Sequence, residues 1–289
     1  MNAAQAPLTV VSATVPRESV DALIEALSEG DICASSWDDV EQAQSRLSIF
    51  LADASAAPGV SQALVAAGRT EGLELHPATD LLPEQDWAES WKRFFRVQRV
   101  SERIVIRPSW EAYEAQPGDV VVDLDPGMSF GTGNHATTQA CLVFLDQLAL
   151  ADVGRSVLDM GCGSGILAIA ARKLGFVEVA AFDNDPDAVA IARENAADNS
   201  VGVVFEVCDL AQNTRQADVV VANILAPVLI DHAGVIVASV KPGNTGALIL
   251  SGILDTQYAA VRAAFEAQGF AETRSLLIGE WRSGLFGRC

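Results

Sequence analysis

Along the first third of the chain, apolar and polar positions change over in short runs. Leu8–Val15, Arg46–Ala52 and Leu73–His76 read as strands, whereas Ser19–Leu27 and Gly59–Ala67 carry helical spacing. Strand–helix–strand, repeated, predicts a small α+β unit over residues 1–83. From about residue 118 the pattern becomes longer and more regular. Val157–Met160 is expected to be a buried strand, and Ile166–Leu174 is expected to be a helix. The alternation goes on through strand Val179–Asp183, helix Asp187–Asp198 and strands Val203–Val207 and Asp218–Ala222. A helix is predicted to begin at Pro227, followed by strand Ala247–Ser251, helix Thr256–Gln268 and strand Glu272–Ile278. Strands alternating with helices predict a doubly wound, mostly parallel sheet over 118–289.

Between the two patterns lies EQDWAESWKRFFRVQRVSERIVIRPSW, residues 84–110. Trp87, Trp91, Phe94 and Phe95 fall at helical spacing, so they are expected to share a face. Lys92, Arg93, Arg96, Arg99, Arg103 and Arg107 make this the only basic stretch. It reads as a linker over 84–117, with its cations either solvated or forming a positive surface near a ligand or partner.

Composition narrows the class. At 289 residues, with 50% hydrophobic, the chain is long enough for two domains with real cores. No stretch approaches the roughly 18 apolar residues of a membrane span. The first residues lack a Lys or Arg before their short apolar part, so a signal peptide is not expected. Five cysteines, Cys33, Cys141, Cys162, Cys208 and Cys289, are scattered with no Cys-x-x-Cys pair. That argues against a disulfide framework and a metal site, and fits a reducing cytosol. The formal net charge of −19 disfavours nonspecific nucleic-acid binding. It would steer a basic protein in, or simply keep the chain soluble.

Two glycine loops carry the candidate chemistry: DPGMSFGTGNHATT at 125–138 and DMGCGSG from Asp159. In the second, Gly161, Gly163 and Gly165 follow a strand and open a helix, allowing a tight turn and close approach to a ligand. The spacing is not the dinucleotide pattern and no Lys-Ser/Thr follows, so it is no phosphate loop. Asp159 at the strand end is an acceptor suited to a cationic amino-acid moiety. The next strand ends at Asp183, placed to accept hydrogen bonds from both ribose hydroxyls. Asp185, before Pro186, reads as a helix cap. Asp209, after the third strand, would face an adenine amine or serve as a turn residue. Asn223 closes the fourth apolar strand, either as a ligand contact at the sheet's carboxyl edge or as a helix cap. Taken in order, these acidic groups describe S-adenosylmethionine in a class I methyltransferase fold. Asn-Ile-Leu-Ala at 223–226 has no aromatic to stack a flipped base, which points to an aliphatic amine.

DPGMSFGTGNHATTQACL, VLDMGCGSGILAIAARKLG, FDNDP, VVVANILA and LSGIL resemble the ribosomal protein L-11 methyltransferase (PrmA) family. DWAESWKRFF, RIVIRPSW and the closing EWRSGLFGR extend the likeness from about residue 84 to the end. The resemblance implies a seven-stranded methyltransferase sheet behind a ferredoxin-like α+β domain. It also implies transfer of methyl groups from S-adenosylmethionine to lysine side chains and the N-terminal amine of a basic large-subunit ribosomal protein, in the cytoplasm. By family position, the cofactor contacts fall on Thr138, Gly161, Asp183 and Asn223. The front domain would recognise the substrate, and the connector would let the catalytic domain swing between amines. GTGNHATT departs from the family's usual GTGTHPTT at Asn134 and Ala136, which bears on loop stiffness. Gly131 and Gly133 would give a mobile cover, and His135 would either orient the loop or help take a proton.

The expected chemistry aligns a neutral amine with the methyl group. Asn223 and the carbonyl of Ile224 or Leu225 are the catalytic candidates, with no dedicated Asp or Glu base. Two other readings share these residues: an N-methyltransferase acting on nucleic acid or a small molecule, and a noncatalytic cofactor-binding ribosome-assembly factor.

Overall fold

The computed structural model describes residues 8–28, 32, 34–39, 44–51, 53–82, 95–125, 135–243 and 246–289. Two compact units divide the chain, residues 1–94 and 95–289.

The first unit contains β1 (Leu8–Pro16), α1 (Val20–Ser28), β2 (Ser35–Asp39), β3 (Gln44–Leu51), α2 (Ala57–Thr70) and β4 (Ala78–Leu82). Its strands form an antiparallel sheet in the order β2-β3-β1-β4. The period of two along β1 puts Val11, Ala13 and Val15 inward, and Leu47 and Ile49 of β3 join them. Leu23 and Leu27 of α1 and Leu64 of α2 close the core. The strand expected at Leu73–His76 lies later, at Ala78–Leu82. Leu73 N–H instead donates to Gly68 O at 2.7 Å, and Gly72 takes a φ of +71° as the chain leaves α2. Pro77 then has no N–H for a ladder, so pairing starts immediately after it.

The second unit opens with a small sheet of β5 (Gln98–Arg99), β6 (Ile104–Arg107) and β7 (Val120–Asp123). It therefore takes in residues 95–117 of the expected linker. The basic stretch makes no free positive surface there. Arg96 pairs with Glu111 at 2.6 Å, Arg99 with Asp119 at 2.8 Å, and Arg103 and Arg107 with Asp146 and Asp123 at 2.6 Å each. The aromatic face expected from Trp87, Trp91 and Phe94, with Lys92 and Arg93, lies outside the described residues.

Then follow α3 (Ala136–Ala151), β8 (Ser156–Met160), α4 (Ile166–Leu174), β9 (Glu178–Asp183), α5 (Pro186–Asp198) and β10 (Val204–Val207). After these come β11 (Val219–Asn223), α6 (Ala226–Asp231), α7 (Ala233–Ala238) and β12 (Ala247–Leu254). The unit ends with α8 (Asp255–Glu266), β13 (Phe270–Ile278) and β14 (Trp281–Arg288). The seven-stranded sheet runs β10-β9-β8-β11-β12-β14-β13, parallel as far as β12 and antiparallel for β14 and β13. This is the doubly wound sheet expected from the alternation. Every residue of β8 is buried because helices cover both faces, which is why its sequence reads as an unbroken apolar run apart from Ser156 and Asp159. Strand order reverses between β8 and β11, and a crevice opens there at the carboxyl ends. No helix among the described residues is long and apolar enough to cross a membrane.

Candidate active site

The turn from β8 into α4 is set by glycine. Gly161, Gly163 and Gly165 have φ of +70°, +51° and +79°, a region that costs a side-chain-bearing residue about 1–2 kcal/mol. At Gly161 an added Cβ would lie 2.6 Å from the Ile224 side chain, and at Gly165, 2.9 Å from the Ala192 Cβ. The backbone thus presses close to the β11 loop on one side and to α5 on the other. Gly161 and Cys162 N–H both donate to Phe182 O, at 2.9 and 3.0 Å, so the end of β9 holds the turn.

Asp183 closes β9 and faces that turn. Its Oδ2 accepts from Gly163 N–H at 2.9 Å and its Oδ1 from Asp185 N–H at 3.1 Å. Two backbone donors fix the carboxylate while each oxygen keeps a lone pair for a diol. Asp185 caps α5, accepting from Asp187 N–H at 2.8 Å. Asp183 and Gly161 line a cavity of about 210 Å³ with Asp209, Cys208, Ile224 and His232. Asp209 serves as the expected turn residue, its Oδ1 capping the turn at Leu210–Gln212 through Ala211 N–H at 2.8 Å, and it also lines the cavity. Cys208 and His232 line it without any sequence signal that marked them.

Asp159 is 1% exposed. Neither of its carboxylate oxygens has a hydrogen-bond partner among the described residues. Burial pushes its acid up to about 7, the nearby Ala168 N–H opposing and the Asp183 charge adding to the rise. Asn223 Oδ1 and Thr138 Oγ1 are likewise buried without a partner. The helix-cap reading of Asn223 does not hold, because α6 has Leu225 at its N-cap and no side-chain cap bond. Ile224 is half-buried beside Gly161, and Leu225 stands 68% exposed at the lip.

These groups converge through the sheet register. Asp159 pairs with Val221 and Asn223 with Ser251, while Ser251 Oγ donates to Thr137 O at 3.1 Å. Thr138 thereby reaches the same edge as Asn223. His135 is the N-cap of α3, its Nδ1 2.7 Å from Thr137 Oγ1, and its ring meets Trp281 edge-on at 5.0 Å between centroids. Burial lowers its pKa and Glu280 partly restores it. The N-cap position and the Thr137 contact fix the ring at the start of α3. The rest of the first glycine loop, with Gly131, Gly133 and Asn134, lies outside the described residues.

Buried oxygens left unpaired cost on the order of 1–3 kcal/mol each, more when charged. A group carrying an ammonium, a diol and an amino-substituted ring would satisfy the oxygens of Asp159, Asn223 and Thr138 together with Asp183 and Asp209. S-adenosylmethionine has that donor set, so these residues fit it. Among the described residues no group of three or more His, Cys, Asp or Glu is placed to hold a metal.

Sequence reasoning passed over Ser251, Gly252 and Ser283. The signal was present in LSGIL, where a polar residue and a glycine interrupt an apolar strand beside Asn223.

The family model described as ribosomal protein L11 methyltransferase (PrmA) matches residues 14–287. The ribosomal protein L11 methyltransferase of Geobacter metallireducens is 46% identical over 210 residues, covering 73% of this chain and 69% of that one. That of Chloroflexus aurantiacus is 45% identical over 230 residues, covering 70% and 69%. The crystal structure of ribosomal protein L11 methylase from Lactobacillus delbrueckii subsp. bulgaricus superposes with a TM-score of 0.62 at 33% identity, covering 67% of this chain and 99% of that one. With the crevice, its acidic edge and a match along nearly the whole length, the chain belongs to the ribosomal protein L11 methyltransferase family.

Proposed function

We propose that the crevice transfers methyl groups from S-adenosylmethionine to amines of ribosomal protein L11, with Asn223 aligning the amine. The observation that carries this is the set of buried, unpartnered oxygens on Thr138, Asp159 and Asn223 around the sheet's switch point. Asp159 and Thr138 would hold the amino-acid end of the cofactor, Asp183 its ribose and Asp209 its adenine. The Gly161, Gly163 and Gly165 turn gives the close backbone approach. S-adenosylmethionine supplies a methyl group already activated on a sulfonium.

What remains for the protein is alignment and a neutral nitrogen. A lysine ammonium, with an ordinary pKa of about 10.4, must shed its proton. Half-buried Ile224 and the apolar Leu225 disfavour the charged form at the entrance, and the proton leaves to water. The Asn223 Oδ1 then accepts one N–H of the amine and the Ile224 or Leu225 carbonyl a second. Residues 1–83 serve as the domain that recognises L11, and the cytoplasm is the compartment. Nucleic acid is disfavoured as a substrate by the net charge of −19 and by the absence of an aromatic after Asn223.

Asn223→Ala tests the alignment. Loss of a preorganised polar contact at the reacting group predicts a fall in turnover on L11 of about 100-fold or more. Cofactor affinity should change by less than about tenfold, as for one polar contact. Full turnover in the variant would remove Asn223 from the mechanism.

A further inference from the structure

Ser251 and Ser283 are buried hydroxyls in an otherwise apolar part of the sheet, at 0% and 1% exposure. Their Oγ atoms lie 2.7 Å apart. Each has one proton. With Ser283 donating to Ser251, the Ser251 proton is free to reach the Thr137 carbonyl at 3.1 Å, and both hydroxyls are used. The chain of contacts continues from Thr137 Oγ1 to His135 Nδ1 at 2.7 Å, so it spans the first turn of α3.

A bulge creates this arrangement. Leu250 pairs with Gly284 and Ile253 with Arg282, so Ser251 and Gly252 together face Ser283 alone. The extra residue lets Ser251 meet α3 while Gly252, at φ +81°, presses against the next strand's loop. An added Cβ at Gly252 would sit 3.0 Å from Ile224 N and 2.9 Å from its carbonyl carbon. One irregularity therefore fixes two things at once: the α3 turn that carries Thr138, and the loop that carries Asn223 and Ile224.

We infer that Ser251 and Ser283 are positioning residues, holding the Thr138 turn in register with Asn223 so that cofactor and amine contacts form together. A methyl or thiol pair would fill the space but would not fix an angle. A hydroxyl with a single proton satisfies the Thr137 carbonyl only along one direction, and burial makes any other direction costly. The inference rests on the reading of Thr138 as a cofactor contact.

The test is calorimetric binding of S-adenosylmethionine to the full chain, with thermal melting in parallel, for Ser251→Ala, Ser283→Ala, Thr138→Ala and the two serine variants combined with Thr138→Ala. Of the two hydrogen bonds that Ser251→Ala removes, the one to the Thr137 carbonyl reaches α3, and its loss predicts about fivefold weaker binding. In the Thr138→Ala background the same change should add less than about twofold, because the serine acts through Thr138. A purely structural role would lower the melting temperature and leave affinity unchanged, or the losses would multiply fully; either result overturns the inference. If Thr138→Ala itself leaves affinity unchanged, the cofactor reading of that residue falls as well. Should Ser251→Ala fail to fold, Ser283→Ala, which removes only the supporting donor, carries the same comparison.

Discussion

Asp159→Asn keeps the shape of a fully buried side chain and removes its charge. In the folded chain burial raises the Asp159 pKa from 3.8 to about 7. An acid raised in this way contributes stability that is intact below pH 3.8 and is lost as pH rises through about 7. Three units at about 1.4 kcal/mol each set the loss near 4 kcal/mol as an upper figure. Above pH 7 the ligand-free protein therefore holds a buried carboxylate with no cationic partner among the described residues, eased only by the Ala168 N–H, and a cationic ligand group neutralises it.

The free Asp159→Asn variant should accordingly melt above the parent at pH 8. At about 2–4 °C per kcal/mol for a unit of this size, the gain is several degrees and at most about 15 °C. The gap should shrink towards pH 5.5, because the parent's own Asp159 is then protonated. Cofactor affinity should move the other way, falling about tenfold or more in the variant, as expected for loss of a charged hydrogen bond. Differential scanning fluorimetry at pH 5.5 and 8, with and without S-adenosylmethionine, reads all of this. A variant that melts below the parent at pH 8, a gap that is flat with pH, or unchanged cofactor affinity would refute the reasoning.

Gly252→Ala combines a left-handed φ of +81° with a Cβ that runs into the Ile224 backbone. It should cost about 2–4 kcal/mol and depress turnover with the melting temperature, checked by denaturant unfolding and initial rates. Arg103→Ala removes the cationic partner of Asp146, whose side chain is 5% exposed, and among the described residues leaves it only the Ser101 hydroxyl at 2.5 Å. Stability should drop by about 3 kcal/mol in chemical denaturation, and Asp146→Asn in the same background should restore much of it.

The parallel strands of the second unit are legible in the sequence for a physical reason. Burial on both faces makes Val157–Met160, apart from Asp159, and Val219–Ala222 apolar without alternation, and each run is followed by a glycine or polar residue at the crevice, Gly161 and Asn223. Asp159, the glycines, Asp183 and Asn223 were readable by the same logic. The helix at Ala136–Ala151 was harder to see, since buried residues fall all around it and leave no single apolar stripe. Leu73–His76 misled because Leu73 and Leu75 are apolar for packing beneath α2, while Pro77 postpones the ladder. The pairing of Arg99 and Arg107 was invisible because Asp119 and Asp123 meet them only once β6 and β7 align. Ser251 and Ser283 escaped for a related reason: 32 residues separate them, and only a bulge brings their hydroxyls together.

The most direct measurement is methyl transfer from labelled S-adenosylmethionine to purified ribosomal protein L11, with the modified positions resolved by mass spectrometry. The account predicts label on lysine side chains and the N-terminal amine of L11, reduced about 100-fold or more by Asn223→Ala while cofactor affinity changes by less than about tenfold. Tight cofactor binding with no label on L11, or label in ribosomal RNA instead, would contradict it.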